Sequence, residues 1–337
     1  MNTEPRSQPD PSLFARLVGQ RRPPWITVGA GLLLVLAPMG AAYLDGVLDD
    51  FLSQGYWRLS LLPTAVIIYI LIVSPIMART EVGVVEAFRP LVLMDDDEFD
   101  GLVDEASRID PIGEVIAAGV GAAFGLWVGH MWLSDPGVFW LRLTLSLSVG
   151  LMFGLLAWTI YVSLTSTRLT AALHRQDLRV DIFDTKPFEP IGRQSLIIAL
   201  VFVGGIVLSM VFVLWLGSFS DWQNWLMYLL LALVPILLFF LNMRDTHRVL
   251  AAEKGRELEA VQRNILRACR ALMERVETNE STGSLAAEIN ALVAYEQRVE
   301  AARTWPYNTS MLRTLFFSVL IPGGAALARV ASVMLFD

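Results

Sequence analysis

Positive charge in this chain is held back from some connections and concentrated in others, in step with the order of its apolar stretches. Seven such stretches run roughly Trp25 to Leu44, Trp57 to Met77, Ile112 to Leu133, Val138 to Leu164, Gln194 to Gly217, Trp225 to Leu241 and Tyr307 to Phe336. A helical crossing of a bilayer takes about 20 apolar residues at roughly 1.5 Å of rise each, so every stretch is a candidate span. Of the 26 basic residues, all but Arg58, Arg142, Arg313 and Arg329 fall in the N-terminal segment or in the second-to-third, fourth-to-fifth and sixth-to-seventh connections. The loops at 45–56, 134–137 and 218–224 hold no Arg or Lys, although they carry Asp45, Asp49, Asp50, Asp135 and Asp221. The positive-inside rule then predicts a cytoplasmic N-terminus, seven crossings and an exterior C-terminus.

The predicted fold class is an all-α integral membrane protein of the plasma or inner membrane. It divides into a cytoplasmic N-terminal segment (1–24), a six-span region (25–243) with inner loops 78–111 and 165–193, a cytoplasmic helical hairpin (244–304) and a broken seventh span (305–337). A mean hydropathy of +0.53 with 55% hydrophobic residues exceeds what a soluble domain of this length carries, and a lipid-facing surface accounts for the excess. Trp57, Trp132, Trp140, Trp215, Trp222 and Trp225 gather at the outer boundary, and Trp25 and Trp305 mark the inner one, where amphipathic rings favour the headgroup level. Gly40, Ala41 and Ala42 could mimic a processing site, but the first stretch is long enough to span and six more follow, so a retained anchor is expected. Nucleic acid is excluded as a partner: the net charge is −7, and residues 243–305 balance ten basic against ten acidic side chains. The single cysteine, Cys269, permits no disulfide or thiolate metal site within one chain.

Small residues predict where helices meet. Gly113, Ala117, Gly121, Gly125 and Gly129 recur every four positions in the third span, and Ser146, Gly150 and Gly154 recur in the fourth. With so short a loop between them, the two spans are expected to be antiparallel neighbours in close backbone contact, as small-xxx-small faces permit in lipid. Glycine is also simply common in membrane helices, the plainer reading of the same pattern.

Beyond the sixth span, Leu258, Val261, Ile265, Cys269, Leu272 and Val276 recur at three-four spacing and give one apolar helical stripe. From Arg244 to Val276 it would project about 50 Å. Residues Thr278 to Ser284 form a turn signal, after which Leu285, Ile289, Leu292, Tyr295 and Val299 resume the period. The two stripes can face each other within one chain or build a bundle between subunits; both stay open.

The 78–111 segment sets ten acids against three arginines. From Asp96 it partly mimics a calcium loop with Gly101 at position six, but Ser107 stands where a bidentate glutamate belongs, and a solvated helix start is the better explanation. The fourth-to-fifth loop, with Pro187 and Pro190, is expected to form a compact extended cap. His130, His174 and His247 are scattered, and no phosphate loop, paired-histidine metal motif or nucleophile turn occurs, so neither enzymatic chemistry, metal nor cofactor is expected. Asn308, Thr309 and Ser310 match a glycosylation acceptor by chance, being at the cytoplasmic entrance of the last span.

That last span carries the strongest functional hint. Pro322, Gly323 and Gly324 interrupt it near its middle, and freed backbone groups at membrane depth must face protein or water. Ser318, Pro322, Ala325, Arg329 and Ser332 are then the expected lining of a path, with a ring of Arg329 favouring anions. The alternative for Arg329 is snorkelling to headgroups or pairing with a loop carboxylate.

Seven spans, an inner N-terminus, short outer loops, a cytoplasmic helical hairpin and a bent final helix together resemble the insect odorant and gustatory receptor superfamily. The likeness is one of topology over almost the whole chain: that family's Thr-Tyr pair followed five residues later by Gln-Phe is absent, so no residue is carried over by motif. The resemblance implies a tetrameric ligand-gated channel with a cytoplasmic anchor domain, a homo-oligomer in the lipid bilayer that takes an ion or small-molecule ligand. A secondary transporter using the broken helix as a midplane site and a non-conducting sensor or scaffold acting through the hairpin are the alternatives.

Overall fold

The computed structural model describes residues 24–320 except 54, 56, 133–137, 177–180, 185, 217–221, 279–280, 282 and 306–309, together with Gly324. Its elements are α1 (Pro24–Leu44), α2 (Leu48–Ser53), α3 (Trp57–Phe88), α4 (Asp96–Ala106), α5 (Pro111–Trp132), α6 (Phe139–His174), a 3-10 turn (Lys186–Phe188), α7 (Glu189–Leu216), α8 (Trp222–Glu277), α9 (Gly283–Ala301) and α10 (Ser310–Leu320). No strand occurs among the described residues. Among the described residues four helical stretches are long and apolar enough to cross a membrane: Ser60–Phe88, Asp96–Gly129, Phe139–His174 and Lys186–Phe212. Two shorter apolar helices are Val28–Leu44 and Ser310–Leu320.

Several helices outrun the apolar stretches that announce them. α3 continues past Met77 to Phe88, and α6 past Leu164 to His174, so the first part of the 165–193 connection is helix rather than extended cap. Hydropathy falls where a helix leaves hydrocarbon, but hydrogen bonding does not, and residues 165–174 contain neither Pro nor Gly to stop it. The 36 residues of α6 span about 54 Å against a hydrocarbon core of about 30 Å. α8 is the extreme case: its 56 residues run unbroken, through Pro235, from the sixth apolar stretch to the tip of the hairpin. Segment 78–111 likewise resolves into the end of α3, a turn, and the amphipathic α4. Asp95 caps α4, its carboxylate accepting from Asp96 N at 2.9 Å.

The extended ends of these helices build a core of their own. Phe88, Phe99, Leu169, Leu173, Phe188, Ile191, Phe239, Met243, Leu250 and Leu315 are buried together, tying α3, α4, α6, α7, α8 and α10 at one end of the bundle. Arg89 fastens α4 to α3 there: its guanidinium donates to Asp96 Oδ1 at 2.8 Å and to Asp100, and lies 4.9 Å from the Phe99 ring centre. The Asp96 hydrogen bond, with Asp100, holds the Arg89 proton more tightly than in a free guanidinium. A second cluster around Ile67, Ile70, Trp158, Ile206 and Tyr228 fills the middle. At the opposite end Phe51, Ala42, Leu141 and Leu145 pack together. Here α1 closes in a Schellman turn, with Val47 N donating to Ala42 O and Gly46 N to Tyr43 O, at a position of φ +72° that glycine takes without strain. The turn aims Asp45 at the start of α6, where its carboxylate accepts from Trp140 N at 3.1 Å and Leu141 N at 2.7 Å. A residue nearly 100 positions away thus satisfies α6's orphan donors.

Candidate functional site

Three places combine defined geometry with chemistry. The first is the last helix. Of its five expected lining residues only Ser318 is described; it is half-buried and donates to Leu315 O at 2.8 Å. Pro322, Ala325, Arg329 and Ser332 lie outside the described residues. α10 presses Leu315, with Leu312 and Val319, onto the inner core and leaves Phe316, Phe317 and Leu320 on its outer face.

The second place is the junction of that helix with the hairpin. α8 and α9 lie side by side with Val261, Ala268 and Val299 buried between them, which is the within-chain pairing of the two stripes. Gln262 Nε2 donates to Glu296 Oε1 at 3.0 Å and the Tyr295 hydroxyl to Glu257 Oε1 at 2.8 Å. That carboxylate, followed by modest desolvation, raises the Tyr295 phenol above its ordinary range. Lys254 reaches across the end of α9 and donates to Glu300 O at 2.6 Å and Ala302 O at 3.0 Å. Two turns earlier on α8 the His247 ring stacks on Trp305 at 3.9 Å between centres, almost parallel, with Nδ1 3.2 Å from Thr304 O. The chain leading into the last helix is therefore strapped to α8 by two side chains. A further contact comes from the α6–α7 connection: Phe183 lies edge-on to Tyr295 at 5.8 Å and beneath the Arg298 guanidinium at 4.8 Å.

The third place is the α5–α6 seam, which brings the small residues together. A Cβ on Gly121 would stand 2.4 Å from Phe153 O and 2.5 Å from Ala157 Cβ; on Gly125, 2.7 Å from Val149 O and 2.9 Å from Gly150 Cα. One on Gly129 would stand 3.3 Å from Ser146 Cα, one on Gly150 3.0 Å from Leu126 Cγ, and one on Gly154 3.1 Å from Ala118 O. Gly113 faces the Tyr161 hydroxyl, 2.2 Å from where its Cβ would be. Ala117 is half-buried beside the seam. Backbone meets backbone at Gly121, Gly125, Gly129 and Gly154.

Glu114 is the functional candidate that the sequence pattern concealed. Its side chain is fully buried, at 0% exposure; Oε1 accepts from Trp158 Nε1 at 3.0 Å, and Oε2 has no hydrogen-bond partner among the described residues. An acid in the first turn of a helix reads as a dipole-complementing surface residue. The signal that could have revealed it is register: Glu114 stands seven residues before Gly121 and eleven before Gly125, on the face committed to α6. A further buried polar group is His174, whose Nδ1 is 2.6 Å from Thr170 O between the rings of Phe88 and Phe188. No group of three His, Cys, Asp or Glu side chains placed to hold a metal ion occurs among the described residues.

Comparison with protein-family models, with curated proteins and with solved structures finds no match to this chain.

Proposed function

We propose that the chain is an oligomeric membrane channel or channel-like receptor, seven-spanning with its N-terminus inside, whose conduction path runs along one face of the last helix and whose hairpin moves that helix. The observation that carries this reading is the strap between α8 and the chain entering α10. Lys254 on two carbonyls and His247 stacked on Trp305 make the hairpin base and the last-helix entrance one mechanical unit. A 56-residue helix without a break is stiff enough to carry a displacement at its tip into the bilayer. The Pro322-Gly323-Gly324 sequence is the point at which this reading expects the last span to yield. The test is ionic current through purified protein in planar bilayers, with selectivity altered by Arg329→Ala. Silence across voltages and a broad ligand panel rejects the reading.

A non-conducting sensor is the second reading, favoured by one feature: Leu266, Met273 and Val276 near the hairpin tip stay 58%, 63% and 56% exposed. That reading expects a soluble partner crosslinked to residues 250–300 and no current.

A further inference from the structure

Glu114 poses a problem of charge. The α5 helix lies almost wholly against α6 and turns Ile112, Val115, Ile116 and Val120 outward, so the carboxyl group is enclosed between an apolar helix face and α6. Among the described residues one indole N–H is its only hydrogen-bond donor, at 3.0 Å on Oε1, and Oε2 is buried with none. An ionised carboxylate holds about four acceptor sites, and a single neutral donor leaves most of its charge unmet in low dielectric. Ionisable side chains inside a bilayer are expensive and mark ion or proton paths.

We infer that Glu114 is an intramembrane proton-binding site. A metal cation is the other ligand that could neutralise it, but sodium- or calcium-like ions require several oxygens, and here one carboxylate oxygen is on offer, with no metal-competent cluster among the described residues. A proton needs only Oε2. The bound form is the carboxylic acid, with the O–H on Oε2 and the carbonyl oxygen Oε1 still accepting from Trp158; the released form is the carboxylate. The titratable group that α6 presents at this level is the Tyr161 phenol, beside Gly113, and the next charged side chain along α6 is the exposed Arg168. On α5's own approach Asp110 is engaged as a cap, its oxygens accepting from Ile112 N at 3.1 Å and Gly113 N at 3.3 Å. The site sits one turn inside the end of α5 that the charge distribution assigns to the inner leaflet, so a proton has a short path from the cytoplasm. Because Glu114 lies in the glycine seam, proton release places a bare charge between two closely packed helices and loosens the pair.

The test is acid-minus-alkaline infrared difference spectroscopy on the full chain in lipid, with isotope-labelled glutamate, in light and heavy water. The contribution of Glu114 is isolated by subtracting the Glu114→Gln difference spectrum from that of the wild type, and it is expected as a carboxylic-acid C=O band above the amide I region, shifted down by deuterium. Trp158→Phe should keep the band and move it to higher frequency, because the carbonyl loses its donor. An identical difference spectrum in wild type and Glu114→Gln overturns the inference. Should Glu114→Gln fail to fold, a carboxylic-acid spectrum in which Trp158→Phe shifts no band overturns it equally. Neither readout depends on conduction, so failure here is separable from failure of the channel reading.

Discussion

The α5–α6 pair and the α8–α9 pair are both antiparallel helical hairpins, yet they are held together by opposite means. Between α5 and α6 the contact is backbone on backbone, with Gly121 against Phe153 O and Gly125 against Gly150 Cα. Between α8 and α9 side chains fill the gap, with Val261 and Val299 buried and Lys254, Gln262 and Tyr295 bonding across. The difference follows from the solvent. Lipid tails are as apolar as leucine, so no hydrophobic force gathers helices in a bilayer, and association rests on close van der Waals approach. Water drives apolar stripes together at any reasonable spacing, and long polar side chains then add register.

The contrast can be broken in order of expected effect. Gly121→Leu should separate α5 from α6 at a cost of about 3 kcal/mol, because backbone cannot yield as a side chain can; unfolding in mixed micelles or by steric trapping measures it, and a loss too small to detect would mean that the seam is not closely packed. Val299→Ala, at a fully buried position, should cost the hairpin about 1.5 kcal/mol and leave α5–α6 untouched, as hydrogen exchange in each pair would show. Lys254→Met should cost about 1 kcal/mol, discounted for solvent at a half-exposed ammonium, and raise exchange selectively at residues 300–305. Smallest is a pH effect at Tyr295. A phenol whose proton is held more tightly in the folded hairpin contributes stability that is fully present below its ordinary value of about 10 and is lost as pH rises through the higher folded value. Tyr295→Phe should abolish that alkaline loss, followed by helicity, and an unchanged profile would remove the Glu257 bond from the account.

What could be read in advance follows the same divide. The hairpin was legible because the stripe at Leu258, Val261 and Ile265 and the turn after Thr278 are local patterns, and the glycine spacing from Gly113 to Gly129 is local too. The core that joins the extended helix ends was not, since Phe88 with Phe99, Phe188 and Leu315 come together from three distant segments with no shared period. Helix ends at Phe88 and His174 escaped because hydropathy reports the edge of the bilayer, whereas backbone hydrogen bonding decides where a helix stops. Glu114 is hidden because an acid in the first turn of a helix suits the dipole whichever face it occupies, so only its register with Gly121 and Gly125 points inward. The expected pore residues beyond Ser318 rest on the sequence pattern of the last span alone.

A conduit along the last helix requires that span to traverse the membrane, with its two ends on opposite sides. A paired reporter fused after Asp337, one half active only in the cytosol and the other only outside it, tests this directly. Activity outside, with none in the cytosol, is the result expected; activity confined to the cytosol contradicts the topology and the pore with it.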